Sequence, residues 1–192
     1  MRKTKTIRKG EYGYFSWEKK RRAAVTLAMF LLPALLFVTG YIQTGGRKNL
    51  FTFVAILGCL PACKSLVGWL MMMPRKSMSR DSYEEIQKRA GALLMAYDLY
   101  FTTYEKNALV DALAIRGGMV AGLCGKKQEH RTFMEKHIRD MLSSNGFPAT
   151  VQLFEEPQAF VKKLDAMQRH AAGDSQAEQE EKIRRIILAI AL

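Results

Sequence analysis

Residues 23–42 read AAVTLAMFLLPALLFVTGYI, a run of twenty residues without a charged side chain. As an α-helix, this run matches the hydrocarbon core of a bilayer, which is about 30 Å thick. A second run, residues 50–73 (LFTFVAILGCLPACKSLVGWLMMM), is 24 residues long and contains one charged residue, Lys64. The residues between them, 43–49 (QTGGRKN), have a turn composition and are too few to form a domain. The sequence therefore predicts a transmembrane helical hairpin at residues 23–73.

The positive charge of the chain is concentrated before the first apolar run. The 192 residues have a net charge of +12, of which residues 1–22 contribute +7, residues 23–73 contribute +3 and residues 74–192 contribute +2. A nucleic-acid binder is expected to place its basic surface on the folded domain. Nucleic acid is therefore not an expected partner, and the lipid bilayer is the expected partner of the basic N-terminal flank, residues 1–22.

Orientation follows from the Lys and Arg residues that flank the two runs. Residues 19–22 are all basic, the loop contains two basic residues, and Arg75, Lys76 and Arg80 follow the second run. The positive-inside rule then places both termini in the cytoplasm, in a two-pass protein of the inner (plasma) membrane. Four aromatic rings near the basic quartet are predicted to lie at the headgroup level: Tyr12, Tyr14, Phe15 and Trp17.

Residues 74–192 are predicted to form one small cytoplasmic α+β domain. The patterns give a helix, a three-strand antiparallel meander, a helix, a strand and two further helices. A capping box at Ser82 and Glu85 opens the first helix, and Gly117-Gly118 is a hairpin turn between the second and third strands. The predicted elements cover residues 82–96, 97–104, 109–116, 119–124, 128–145, 150–155, a helix from 157, and an amphipathic terminal helix from 175.

This order of elements resembles the core of restriction-endonuclease-like folds of the RecB and Mrr type, over residues 82–156. In that family an acidic residue on the second strand and an Asp/Glu-x-Lys motif on the third hold a divalent metal, which positions a water for phosphodiester attack. The resemblance implies these places for Asp111 and Lys126, and Asp98 joins them if the chain is an enzyme. However, Cys124 stands where the second carboxylate is needed. Because Mg²⁺ prefers oxygen ligands, a degenerate domain of this fold is expected rather than an active nuclease.

Structural roles are the alternative for these residues and for the histidines. Asp111 then lies on the solvent face of a strand, and Lys126 lies in a turn. His130, His137 and His170 have no metal-ligand spacing, and no Cys pair accompanies them. The sequence therefore predicts no metal site.

The second apolar run contains a stripe of small residues and one charge. Gly58, Cys59, Ala62 and Ser65 fall on one helical face, which favours close helix packing. Lys64 near the bilayer centre costs about 2.5 to 3.5 kcal/mol. Its side chain either snorkels to the cytoplasmic side, where the span could also end, or faces a partner helix or polar cavity in an oligomer.

These patterns together predict a membrane-anchored, non-enzymatic interaction or regulatory protein that binds a protein partner or a second copy of itself. Two alternatives remain open. One is a membrane-tethered enzyme with a vestigial or unusual phosphodiester site at Asp98, Asp111 and Lys126. The other is a small pore-forming effector that oligomerises around Lys64. No cofactor is expected, because the sequence has no phosphate-binding glycine loop.

Overall fold

The computed structural model describes residues 6–46, 49–102, 107–125, 131–169 and 174–191. The chain divides into a hairpin unit, Phe15–Lys76, and an α+β unit made of Met1–Tyr14 and Ser77–Leu192. The prediction of two long apolar helices followed by a small α+β domain is confirmed. The helices are α1 (Tyr14–Thr44), α2 (Leu50–Leu70), α3 (Arg80–Ala90), α4 (Arg131–Ser144), α5 (Pro157–Gln168) and α6 (Asp174–Ile190), and the strands are β1 (Leu94–Thr102), β2 (Asn107–Arg116), β3 (Met119–Cys124) and β4 (Thr150–Phe154).

The two helices of the hairpin unit are long and apolar enough to cross a membrane. Their most apolar 18-residue windows have mean hydropathies of 2.1 and 1.9, and only 17% and 11% of those windows is buried. A core helix of a soluble protein would instead be mostly buried. Both helices therefore expose apolar side chains that water solvates unfavourably.

Polar contacts join α1 and α2 near both ends of the hairpin. At the loop end Asn49 caps α2, since its Oδ1 accepts from the backbone N–H of Thr52 at 2.7 Å. The amide nitrogen of Asn49 also donates to the carbonyl oxygen of Gly40 on α1, at 3.0 Å. Toward the other end, the hydroxyls of Thr26 and Ser65 share a hydrogen bond of 2.9 Å. These contacts pair the two helices antiparallel.

The α+β unit is built on one mixed four-stranded sheet in the order β1-β2-β3-β4. β1, β2 and β3 are antiparallel neighbours, and β4 lies parallel to β3. Gly117 and Gly118 form the turn between β2 and β3 with φ of 50° and 78°, in the left-handed region that glycine enters without steric cost. The parallel pairing of β3 and β4 needs a crossover connection, which α4 supplies.

Helices cover both faces of this sheet. α4 and α6 pack on one face, and α3 and α5 pack on the other. The C-terminal helix α6 buries Ile183 and Ile187 in the core of the α+β unit. The helical residues that fill the two cores are Met134, Ile138, Leu142, Ile183 and Ile187 on one face, and Ile86, Phe160, Leu164 and Met167 on the other.

The first helix of the α+β unit differs from its prediction at both ends. Its cap is Ser79 rather than Ser82, because the Ser79 hydroxyl accepts from the backbone N–H of Ser82 at 3.2 Å. The helix ends before Gly91, which has φ of 53° and stops the helical hydrogen-bond pattern. Leu94, which fits the helical spacing, instead begins β1. The predicted helix at 82–96 is therefore too long at its C-terminal end.

Residues 6–14, here called the N-terminal arm, pack in the α+β unit. Gly10 forms an antiparallel bridge with Tyr97 of β1, whose N–H donates to the Gly10 carbonyl at 2.8 Å. Ala191 forms a second bridge to β1, at Phe101. Tyr12 stacks on Tyr83 of α3 with ring centroids 4.0 Å apart. The ring of Tyr12 thus packs on α3, a contact that the sequence analysis does not predict.

We expect Phe160→Ala to lower the free energy of unfolding of the α+β unit by about 3 to 5 kcal/mol, because the side chain is fully buried and leaves a cavity. Phe133 is a matched control, since it is 38% exposed, and Phe133→Ala should cost much less. Urea unfolding of the full chain in detergent, followed by circular dichroism, measures both values. Equal losses in the two variants would contradict the packing of α5 described above.

Candidate functional site

Asp98 of β1 and Asp111 of β2 form a paired irregularity in the sheet. The two strands pair on either side of these residues but not at them, so the residues occupy facing positions in the ladder. Asp98 has φ of 53°, and it alone among the non-glycine residues that the structure describes has a positive φ. Relative to β3, the ladder also shifts register at Asp111. Asp111 is thus the extra residue of a β-bulge against β3, and Asp98 lies opposite it in β1 without a shift of the β1–β2 register.

The irregularity at Asp98 and Asp111 is here called the paired bulge. It changes which face of the sheet the side chains of each strand occupy. Ala96 and Leu99 belong to the same core cluster although three positions separate them along β1. Val110 and Leu113 also belong to this cluster, although three positions separate them along β2. Residues three apart in a regular strand point to opposite faces. The extra residue in each strand therefore resets the alternation of apolar side chains.

Burial and charge make the paired bulge electrostatically unusual. Asp98 is 1% exposed, and the hydroxyl of Ser77 donates to its Oδ2 at 2.6 Å. Asp111 is partly buried rather than fully exposed on a solvent face. That burial, together with the nearby charge of Asp98, raises the pKa of Asp111 to about 6. Asp111 Oδ2 also lies 4.0 Å from the position that a Cβ on Gly125 would take. The Asp111 carboxylate is therefore next to the backbone that follows β3.

Cys124 ends β3 and is 1% exposed. Burial raises the pKa of its thiol to about 12, and the charges of Asp111 and Glu135 act in the same direction. A cysteine sulfur is also a soft ligand, whereas Mg²⁺ takes hard oxygen ligands. Within the described ranges, no group of three His, Cys, Asp or Glu side chains could hold a metal ion. The donors at this place do not fit the metal that the endonuclease-like resemblance implies.

The other candidate residues of the α+β unit are Lys126 and the three histidines. Lys126, His130 and His170 lie outside the described residues. His137 is partly exposed on α4, where its neighbour Ile138 is the side chain buried in the core. Of the three residues named for a phosphodiester site, the structure thus places Asp98 and Asp111 together.

In the hairpin unit, the small residues of α2 face α1. Ala62 is fully buried. A Cβ on Gly58 would stand 3.2 Å from Cγ of Pro33 in α1, and Ser65 is the residue that bonds to Thr26. Cys59 is partly buried on the same helix, whereas Lys64 is exposed.

The sequence alone did not identify the paired bulge or the role of Ser77. The sequence does contain one indication of it, an aspartate inside each of two consecutive strand patterns, YDLYF and LVDALA. A strand that is buried on both faces would have an apolar residue at these positions. Each aspartate marks the position at which the alternation changes. Ser77 is distant in sequence from Asp98, and no local pattern connects them.

No protein family, curated protein or solved structure with which the chain was compared matches it. The resemblance to restriction-endonuclease-like folds therefore rests on the order of elements. What the paired bulge can do chemically follows from its own residues. Asp111 can take up a proton near pH 6, because its burial and the nearby charge of Asp98 disfavour its ionised form.

We expect Asp111→Asn to stabilise the α+β unit at pH 7.5 by about 1 to 3 kcal/mol, and to give no gain at pH 4. The folded pKa of about 6 lies above the ordinary value of 3.8, so the folded state binds this proton more tightly than the unfolded state does. The contribution of Asp111 to stability is therefore complete below pH 4 and is lost as the pH rises to 6.

Thermal unfolding of the full chain in detergent between pH 4 and pH 8 measures this effect. Asp140→Asn is the control, because Asp140 is exposed on α4 and should not change the pH dependence. An Asp111→Asn curve parallel to that of the wild type across this range would show that Asp111 does not titrate with a raised pKa.

Proposed function

We propose that this chain is a membrane-anchored, non-enzymatic interaction or regulatory protein. The hairpin unit is the anchor, inserted in the inner membrane. The α+β unit lies at the cytoplasmic face, where it is available to a protein partner or to a second copy of the chain.

One observation carries the topology of this proposal. Segments from before and after the hairpin belong to the same folded unit, since the N-terminal arm pairs with β1 through Gly10 and Tyr97. Two segments of one folded unit lie on the same side of a bilayer. The chain between them must then cross an even number of times, and α1 and α2 supply two crossings of sufficient length.

The charges select the side of the membrane. The basic residues near the start of α1 and after α2 lie at the open end of the hairpin, where Lys19 donates to the carbonyl of Met73 at 2.8 Å. Arg22 donates to the carbonyl of Gly68 at 3.1 Å. Glu18, the acid at this end, forms ion pairs of 2.8 Å with both Arg21 and Arg22. The net charge there is positive, which favours the cytoplasm.

The chemistry of Cys124 supports the proposal that the chain is not an enzyme. A phosphodiester site of the family that the fold resembles needs a carboxylate at this place. Here the side chain is a buried thiol with its pKa raised to about 12. Such a group neither binds a hard divalent metal nor acts as a base at neutral pH.

Reporter fusions test the topology. An alkaline phosphatase fused after Leu192 should be inactive, and a green fluorescent protein at the same place should be fluorescent. Alkaline phosphatase inserted in the loop between α1 and α2 should be active, because that loop lies on the opposite side. Activity after Leu192 would overturn the proposed orientation, and activity at one terminus only would contradict an even number of crossings.

The facing pair Asp98 and Asp111 favours a second candidate, a membrane-tethered phosphodiester hydrolase. We expect no cleavage when the purified full chain is incubated with DNA or RNA and Mg²⁺ or Mn²⁺, because Cys124 supplies no oxygen ligand. Asp111→Ala is the matched control for contaminating nucleases. Cleavage by the wild type that Asp111→Ala abolishes would replace the non-enzymatic proposal with the hydrolase.

A further inference from the structure

A pocket of about 420 Å³ lies within the α+β unit. The N-terminal arm, α3, β1 and α6 contribute its walls. The volume is in the range of natural small-molecule sites, which enclose ligands of nucleoside or drug size. Here this space is called the arm pocket.

Three tyrosines from three different segments form the aromatic part of the arm pocket. Tyr12 and Tyr83 stack with an angle of 14° between their rings. Tyr97 meets Tyr83 edge to face, with ring centroids 5.1 Å apart. The hydroxyl of Tyr97 donates to Oε1 of Gln87 at 2.7 Å, which fixes the orientation of its ring. Aromatic surfaces held in this way favour a flat ring as ligand.

Arg184 of α6 supplies the cationic part of the pocket. Its Nε is buried and has no hydrogen-bond partner within the part of the chain that the structure describes. Its Nη1 is 3.4 Å from Oε1 of Glu181, which is long for a charged hydrogen bond. The guanidinium therefore retains capacity to bind the oxygen atoms of an anion. Glu11 also lines the pocket, and one of its carboxylate oxygens accepts from the N–H of Arg8 at 3.2 Å.

We propose that the arm pocket binds a small planar anion, an aromatic or heteroaromatic ring that bears one carboxylate or phosphate group. The ring packs on the tyrosines, and the anionic group accepts hydrogen bonds from Arg184. Glu11 favours ligands whose ring also carries an N–H or O–H donor. No residue of the hairpin unit lines this pocket, and neither does Asp98 or Asp111, so its test is separate from the tests of the function proposed above.

The ligand has a structural consequence for the N-terminal arm. Gly10, Glu11 and Tyr12 belong to the arm, whereas Tyr83 and Arg184 come from α3 and α6. A molecule that contacts both sets is held by segments that are far apart in sequence. Its binding therefore stabilises the docking of the arm on the α+β unit.

Equilibrium dialysis of the full chain in detergent tests the proposal with matched pairs of probes. The pairs are benzoate and benzamide, indole-3-acetate and indole-3-acetamide, and adenosine 5′-monophosphate and adenosine. We expect the acid of at least one pair to bind saturably, with Kd below about 1 mM, and at least about tenfold more tightly than its neutral partner. Comparison of the carboxylates with the phosphate identifies the preferred anion. Failure of all three acids to bind saturably overturns the proposal.

Substitutions place the binding in the arm pocket. Arg184→Gln should weaken binding of the acid at least about tenfold, and Tyr83→Leu should weaken both members of a pair. Arg185→Gln is the control on the same helix, since the Arg185 side chain is 76% exposed, and should leave binding unchanged. Circular dichroism confirms folding, and Arg184→Met, which keeps an apolar stem but removes the charge, replaces Arg184→Gln if that variant does not fold. Equal affinity in a folded Arg184 variant and in the wild type overturns the site.

Discussion

The placement of two like charges at facing positions of neighbouring strands is the constraint on which the α+β unit depends. Asp98 and Asp111 each add one residue to a strand, and the two additions occur at the same level of the sheet. If either were deleted, the apolar residues on one side of the deletion would move to the opposite face. Both inserted residues are needed for α4 and α6 to pack on one face of the sheet and for α3 and α5 to pack on the other. Their electrostatic cost is reduced by the Ser77 hydrogen bond and, below about pH 6, by protonation of Asp111.

Much of the fold could be predicted because its signals are local. Each apolar run is long enough to define a helix by itself, and Gly117-Gly118 marks a turn that few other sequences would form as readily. The C-terminal end of α3 could not be predicted from spacing, because Leu94 fits a helix as well as a strand. Only the left-handed conformation of Gly91 decides between them. The pairing of Gly10 with Tyr97 has no local signal, since the hairpin separates the two residues.

The candidate site was predictable in its residues but not in their environment. An acidic residue in a strand pattern identifies Asp98 and Asp111, and their facing positions follow once the register is known. The burial that raises the pKa of Asp111 and of Cys124 comes from packing between distant elements, which no spacing rule contains. The arm pocket was even less predictable from the sequence. Tyr12, Tyr83, Tyr97 and Arg184 come from four segments, so that the cavity exists only in the folded unit.

The two bridges to β1 also determine the order in which the chain can fold. β1 is the edge of the sheet, and its free side is met by Gly10 near one terminus and by Ala191 near the other. During synthesis the arm leaves the ribosome before β1. Translation proceeds at about 5 to 20 residues per second, so several seconds pass before Tyr97 is made and can pair with Gly10. Ala191 is synthesised long after β1, so its bridge to Phe101 forms later than the bridge of Gly10. An unprotected edge strand is a template for aggregation, so part of the β1 edge stays exposed until Ala191 has left the ribosome.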